Sequence, residues 1–299
     1  MSIRSAISLE STDSSQPFER VKARLFFGRF LLFQFVGGLI LVILAAIVQS
    51  SSGVSAEDPI WLLMGLYVGW AVFLGWVLSY LRKCNLPVSQ VIGSTRLSGR
   101  DIRDAVLVAI ACLVFSTGAG LLMFGLLAVL LPEFADQLLE SSSLAQPSSF
   151  PFLQKLLTTG LLVVVAPTLE ELLFRGLLLH RWALKWNLIR AIVVGSILFG
   201  ILHINPIGLT VFGVMMVLLY LKTCKLVVPI LAHAINNGFV ALALWLPQTE
   251  PPDASFSHLY AGLFCLCLSL PLLAWLAYKL WNSRTVDLPY RMNMRKELA

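Results

Sequence analysis

Charge is what this chain has least of. Asp, Glu, Lys and Arg make up 13% of its 299 residues, where a soluble domain carries about twice that share. Apolar residues make up 58% and mean hydropathy is +0.84, which excludes an ordinary soluble enzyme. Cysteine is sparse too. Cys84, Cys112, Cys224, Cys265 and Cys267 lie in or beside apolar runs rather than in a spaced framework, so neither a disulfide scaffold nor a zinc ribbon follows. No internal repeat, phosphate-cradling glycine loop, basic-aromatic nucleic-acid patch or H-E-x-x-H zinc-protease motif occurs. The serine-rich stretch before Arg20 has no periodicity and reads as a disordered tail. The first apolar run is too long for the core of a cleaved signal peptide.

Long apolar runs are what remains. Stretches near the twenty residues needed to cross a bilayer fall at about 25–48, 60–81, 104–131, 151–180, 188–204, 207–222, 226–246 and 259–281. The fifth and sixth are short and separated by Asn205-Pro206, so they can also form a tight hairpin inside the protein. The expected fold is all-α, a polytopic membrane protein of about eight transmembrane helices around a polar intramembrane cavity. The segments are 1–24, a disordered cytoplasmic tail; 25–150, three helices and a connector whose 132–151 stretch could include a short amphipathic helix; 151–246, a catalytic helical core; and 247–299, the last helix and a cytoplasmic tail.

The net charge of +6 follows the loops rather than a nucleic-acid face. Arg20, Lys22, Arg24 and Arg29 precede the first helix, and Arg82, Lys83, Arg96, Arg100 and Arg103 separate the second from the third. Arg181, Lys185 and Arg190, then Lys222 and Lys225, and finally Arg284, Arg291, Arg295 and Lys296 occupy every second connection thereafter. The intervening loops hold Glu57, Asp58, Glu133, Asp136, Glu140, Glu250 and Asp253 without a lysine or arginine. That alternation is the positive-inside pattern for eight spans with both termini cytoplasmic.

Against this background "PTLEELLFRG", 167–176, stands out because it puts Glu170, Glu171 and Arg175 inside an apolar helix. A charge at mid-membrane costs about 2.5 to 3.5 kcal/mol on insertion scales, so such residues face a protein interior or a cavity. Glu171 and Arg175 are four apart with the glutamate first, the favourable orientation for a pair on one helix face. Glu170 points elsewhere and lacks an intrahelical partner. A purely structural ion network would account for these three residues alone.

Two further helices carry His203, at the end of "FGILH" one turn after Phe199, and His233, at the start of "HAINN" one turn before Asn237. At about 1.5 Å per residue, Glu170 is roughly 16 Å from Arg181, His203 roughly 20 Å from Arg190, His233 roughly 12 Å and Asn237 roughly 18 Å from Lys225. All fall near the middle of a core about 30 Å thick and can share one cavity. A glutamate beside imidazoles can take a proton from water during attack on a carbonyl and return it to a leaving amine. Histidine and asparagine can donate to the developing oxyanion. The chemistry points to amide hydrolysis. His180 and His258 fall near the ends of their runs, where interfacial solvation is the simpler reading.

The ordered set "EELLFR", "FGILH" and "HAINN" resembles the CPBP (Abi) intramembrane proteases, which include the C-a-a-X prenyl endopeptidases; the likeness covers roughly 151–246. It implies a membrane endopeptidase whose cavity opens toward the cytoplasm. The residue matching Glu170 activates water with help from that matching His203, those matching His233 and Asn237 form the oxyanion site, and those matching Glu171, Arg175 and Phe199 support it. Implied partners are the bilayer and a membrane-associated, prenylated or otherwise lipidated peptide, with no nucleic acid. The implied location is the plasma membrane of a prokaryote or a thylakoid or organelle membrane. No cofactor is expected, although Glu170, His203 and His233 are zinc-ligand types and zinc stays the alternative. Other readings are a catalytically inactive scaffold or bacteriocin-immunity protein, and a proton or metal transporter.

The loop charges generate a direct test of topology. Cysteine-accessibility labelling should place residue 295 on the cytoplasmic side and residue 255 on the opposite one. Labelling of both from the same side would refute the eight-span arrangement.

Overall fold

A computed structural model describes residues 17–52, 59–135, 137, 151–242, 244–246 and 256–298. Eight apolar helices appear where the hydropathy places them, and no strand occurs among the described residues. They are α1 (Ala23–Ser52), α2 (Pro59–Lys83), α4 (Gly99–Leu130), α5 (Phe152–Lys185), α6 (Leu188–Ile201), α7 (Pro206–Thr223), α8 (Val227–Leu242) and α9 (Phe256–Asn282). Two short helices join them, α3 (Val88–Ile92) and α10 (Pro289–Leu298). Six are long and apolar enough to cross a membrane, which makes the chain a polytopic membrane protein. The exceptions are α6 and α8. With 14 and 16 residues they span only about 21 and 24 Å, less than the hydrocarbon core, and both lead into or carry site residues.

Lipid tails are as apolar as leucine, so helix pairs here rely on close approach. A Cβ added at Gly262 would come within 2.8 Å of the Leu122 backbone nitrogen, and one at Gly118 within 2.8 Å of Cys265 Cβ, so α4 and α9 touch backbone to backbone. Gly37, Gly65 and Gly69 do the same for α1 and α2. The hairpin of α6 and α7 closes at Gly200 and Gly213, where added methyl groups would meet Thr210 and Ser196. Helix α7 is the most enclosed, with Met216, Leu219 and Tyr220 fully buried, and α4, α6 and α8 all pack against it.

The hairpin turn is set by Asn205-Pro206. Proline lacks an N–H and disfavours helical backbone in the residue before it, so α6 stops at Ile201 and Asn205 takes φ −109°, ψ 79°. Asn205 then caps α7, accepting from the Gly208 N–H at 3.0 Å, and donates to the Ser116 carbonyl on α4 at 2.6 Å. The helix expected over 188–204 is therefore shorter. His203 stands in the turn rather than in the helix, held to its predecessor by a 2.6 Å bond from Nδ1 to the Phe199 carbonyl.

One end of the bundle gathers the basic loops. Asp101 pairs with Lys225 at 2.8 Å, and Asp104 with Lys222 and Arg103. Asn293 of α10 donates to the carbonyls of Gln90 and Cys224, both at 3.0 Å. Gly93, at φ +69°, lets that contact form: a Cβ there would lie 2.2 Å from the Cys224 oxygen. The N-terminal stretch differs from the expected tail from residue 17 onward. Pro17–Arg20 forms a 3₁₀ turn that buries Phe18 and Val21, because Phe18 finds an aromatic pocket against His180 and Tyr290. Residues 1–16 and most of the 132–151 connector lie outside the described residues.

The glycine contacts predict a stability hierarchy. Gly262→Leu should cost about 1–3 kcal/mol through overpacking and lower the melting temperature in detergent, whereas Gly75→Ala, with nothing near its added methyl, should leave it unchanged. Equal melting temperatures for the two would mean that α4 and α9 do not approach this closely.

Candidate active site

Helix α5 carries the acidic pair, and its local geometry is unusual. Its 34 residues are continuous, but Leu161–Val165 and Leu172–Leu178 have the wider i→i+5 hydrogen-bonding pattern of a π-helix. Such insertions concentrate at functional sites. Pro167 links the first of them to the chemistry. In that register the carbonyl awaiting the N–H of residue 167 is that of Leu162, and proline has none to give. Asn237 of α8 donates to it instead, Nδ2 to oxygen at 2.9 Å. The proline that frees a carbonyl thus fixes the asparagine.

Seven candidate residues converge, in two tiers. Glu170, His203, His233 and Asn237 line a cavity of about 180 Å³ with Leu162, Ala166, Leu209 and Val240. Glu170 Oε2 lies 3.8 Å from His203 Nε2 and 3.9 Å from His233 Nε2, beyond hydrogen-bond length, and has no hydrogen-bond partner in the protein. Behind them, Glu171 and Arg175 are sealed, their side chains 0% and 1% exposed, and pair at 2.9 Å. Arg175 also donates to the Gly213 carbonyl at 3.1 Å and lies over the Phe199 ring at 4.6 Å.

Sequence reasoning missed one contact of consequence. Glu171 Oε1 accepts not only from Arg175 but also from His233 Nδ1, at 2.9 Å. Only the fold brings residue 233 to residue 171. Two tautomers follow from the partners, since a carbonyl and a carboxylate can only accept. His203 carries its proton on Nδ1 toward Phe199, and His233 carries its own on Nδ1 toward Glu171. With the proton on Nδ1 in both, it is Nε2 of each ring that faces Glu170. Asn237 has a second Nδ2 hydrogen left for the cavity, and its Oδ1 accepts from Asn236 at 3.4 Å.

Phe212 was also missed. Its ring meets His233 edge-on at 4.9 Å and stacks with Phe199 at 5.9 Å, walling the imidazoles off on one side. An isolated phenylalanine in an apolar helix gives no signal of this. His180 departs from the expected interfacial position. Helix α5 runs to Lys185, so His180 lies inside it, fully buried, bonded to the Gly176 carbonyl at 2.7 Å and boxed by Phe18, Tyr220 and Tyr290. It is not among the residues that line the cavity. His258 packs edge-on against Phe124 near the start of α9.

Comparison with known proteins singles out the same region. Residues 152–239 match the family described as "Type II CAAX prenyl endopeptidase Rce1-like", a segment of less than a third of the chain that contains all seven residues. The "Putative membrane peptidase YdiL" of Bacillus subtilis (strain 168) is 35% identical over 107 residues, covering 34% of this chain and 44% of that protein. The chain thus spans less than half the length of this curated relative. No solved structure matches it. The match and the relative together show that the site-bearing segment is similar to the type II CAAX prenyl endopeptidase Rce1-like family.

The two tiers should separate on mutation. Arg175→Ala strands Glu171 in a sealed setting and should cost about 3–5 kcal/mol, read as lost folded yield in detergent. Glu170→Gln, which breaks no hydrogen bond, should leave the yield near that of the native chain. Comparable loss from both would make the whole cluster a structural network.

Proposed function

We propose that the chain is an intramembrane endopeptidase that hydrolyses a peptide bond in a membrane-associated or lipidated protein or peptide, with Glu170 as the base. One observation carries this reading. In a cluster where Glu171 Oε1 is taken up by Arg175 and His233 and the whole Glu171 side chain is sealed from solvent, Glu170 is the carboxylate that lines the cavity, and its Oε2 faces two imidazole nitrogens without a hydrogen-bond partner in the protein. An unpartnered carboxylate in a membrane interior is costly, and its use as a proton acceptor gives a reason for it.

In this mechanism Glu170, with His203 Nε2, removes a proton from water as its oxygen bonds to the substrate carbonyl carbon. The carbonyl oxygen becomes the oxyanion and accepts from Asn237 Nδ2 and from His233. His233 can donate there only when Nε2 bears a second proton, and the Glu171 carboxylate on Nδ1 is placed to offset that charge. Collapse of the intermediate breaks the carbon–nitrogen bond, and the proton held by Glu170 passes to the amine. The family's name makes prenylated or otherwise lipidated peptides the first substrates to try. In this reading both termini face the cytoplasm.

The donor set also bears on zinc. Glu170 and the two imidazoles are suitable ligand types, and the bond from His233 Nδ1 to Glu171 is a carboxylate–histidine support of the kind that zinc ligands use. Yet the donor separations of 3.8 and 3.9 Å exceed the roughly 3.3 Å that bonds of 2.0–2.1 Å impose in a tetrahedron. Among the described residues no group of three such side chains is close enough to hold a metal. The residues as placed do not fit the ion.

The test joins both points. Purified protein, extensively chelated, should cleave a lipidated peptide at an undiminished rate, and Glu170→Gln should reduce that rate by about two orders of magnitude or more at normal yield. Stoichiometric bound zinc, with activity lost on its removal and restored by its return, would overturn the glutamate mechanism. Full cleavage by Glu170→Gln would overturn the assignment of the base.

A further inference from the structure

The reaction cavity has a direction along the membrane normal. Besides Glu170, its wall on α5 is Leu162 and Ala166, about 12 and 6 Å back along the helix toward Phe152. On α8 the wall continues through Asn237 and Val240, about 6 and 11 Å beyond His233 toward Leu242. Leu209 lies near the start of α7, close to the hairpin tip. Helix α5 begins at this end of the bundle, α8 finishes there and the α6–α7 hairpin turns there. It is the end whose connections carry Glu133, Glu250 and Asp253, while Lys185, Arg190, Lys222 and Lys225 mark the other.

Toward the basic end the helices are packed shut. Leu177 follows Glu170 on α5, Phe199 precedes His203, Phe212 and Met216 follow Leu209 on α7, and Ala232 precedes His233, all of them buried. Toward the acidic end the wall gives out, and Val240 is 55% exposed. Helices α6 and α8 both start at the basic end, and at about 21 and 24 Å against a core about 30 Å thick they leave their whole shortfall at the acidic one. The other cavity that reaches Glu170 and His203 has only apolar side chains in the rest of its wall and offers a polar group no partner on the way. Water and a peptide backbone cross hydrocarbon only at a steep cost, so the polar route to Glu170 runs from the acidic end past Asn237. We infer that the reaction cavity opens on the side of the membrane opposite the basic loops, and that its substrate is a peptide segment presented on that non-cytoplasmic side. The family resemblance implies the reverse, a cavity open to the cytoplasm. The substrate assignment rests on the protease reading above, and the side rests on the loop charges.

The experiment uses the full chain in sealed vesicles, with Cys265 and Cys267 replaced by alanine; Cys84, Cys112 and Cys224 are buried. Ser255→Cys and Arg295→Cys mark the two sides. A charged, membrane-impermeant maleimide should label Val240→Cys from the Ser255 side and not from the Arg295 side, and Ala166→Cys gives a second site should the first variant fold poorly. Labelling from the Arg295 side, labelling of neither variant from either side, or markers that share a side overturns the opening. In the same vesicles a proteome-derived peptide library, with Glu170→Gln as the blank, should be cut when supplied on the Ser255 side, and the cutting should be lost when it is supplied on the other. Glu170-dependent cutting confined to the Arg295 side, or equal from both, overturns the substrate assignment and leaves the protease reading standing. No Glu170-dependent cutting even after detergent opens the vesicles overturns the protease reading, while the labelling still decides which way the cavity opens.

Discussion

The rest of the site depends on one oxygen atom. Glu171 Oε1 receives the Arg175 guanidinium and the His233 imidazole, each at 2.9 Å, inside a shell where both charged side chains are sealed from solvent. A buried charge pair is expensive to desolvate and becomes tolerable only when its hydrogen bonds are made, which ties three helices to one geometry. Arg175 reaches α7 through the Gly213 carbonyl and α6 through the Phe199 ring, while Glu171 reaches α8 through His233. The orientation of His233, and so the face its Nε2 presents to Glu170, is a consequence of satisfying Glu171.

Proline does related work in the backbone. Pro167 and Pro206 each withhold an N–H at a point where a regular helix would use one. At Pro167 an asparagine side chain fills the gap and enters the cavity wall; at Pro206 the helix ends, and His203 is released into a turn while staying bonded to Phe199. Two of the four polar residues lining the cavity thus owe their placement to missing donors. Two short helices, α6 and α8, are tolerated in the membrane because protein covers them: α5 and α7 pack against α6, and α4, α5 and α7 against α8.

The helices were legible because hydropathy at this length scale reports lipid contact directly, and all eight runs became helices. The Glu171–Arg175 pair was legible because both ends lie on one helical turn. What was hidden involves contacts between segments distant in sequence: Glu171 with His233, Phe212 with His233, and Asn237 with Leu162. His180 was misplaced for a different reason. The apolar run fades near residue 180, but the helix continues to Lys185 because Trp182 is buried and the N-terminal turn and α10 cover that end with Phe18 and Tyr290. Hydropathy registers lipid, and here protein replaces it.

Exposure across a single helical turn separates the two glutamates. Glu171 and Arg175 are sealed, while the neighbouring Glu170 side chain is 18% exposed and that of His203 33%, both toward the cavity. The aromatic wall of Phe174, Phe199 and Phe212 lies between the two environments. On its inner side low dielectric strengthens the pair that fixes the geometry, and a mismatch there would be costly. On its outer side a carboxylate with no protein partner keeps the freedom to bind whatever enters. Adjacent glutamates of identical chemistry are therefore divided by the helix into one sealed among protein groups and one that lines the cavity, because neighbouring residues face directions about 100° apart and only one of those directions is filled with protein.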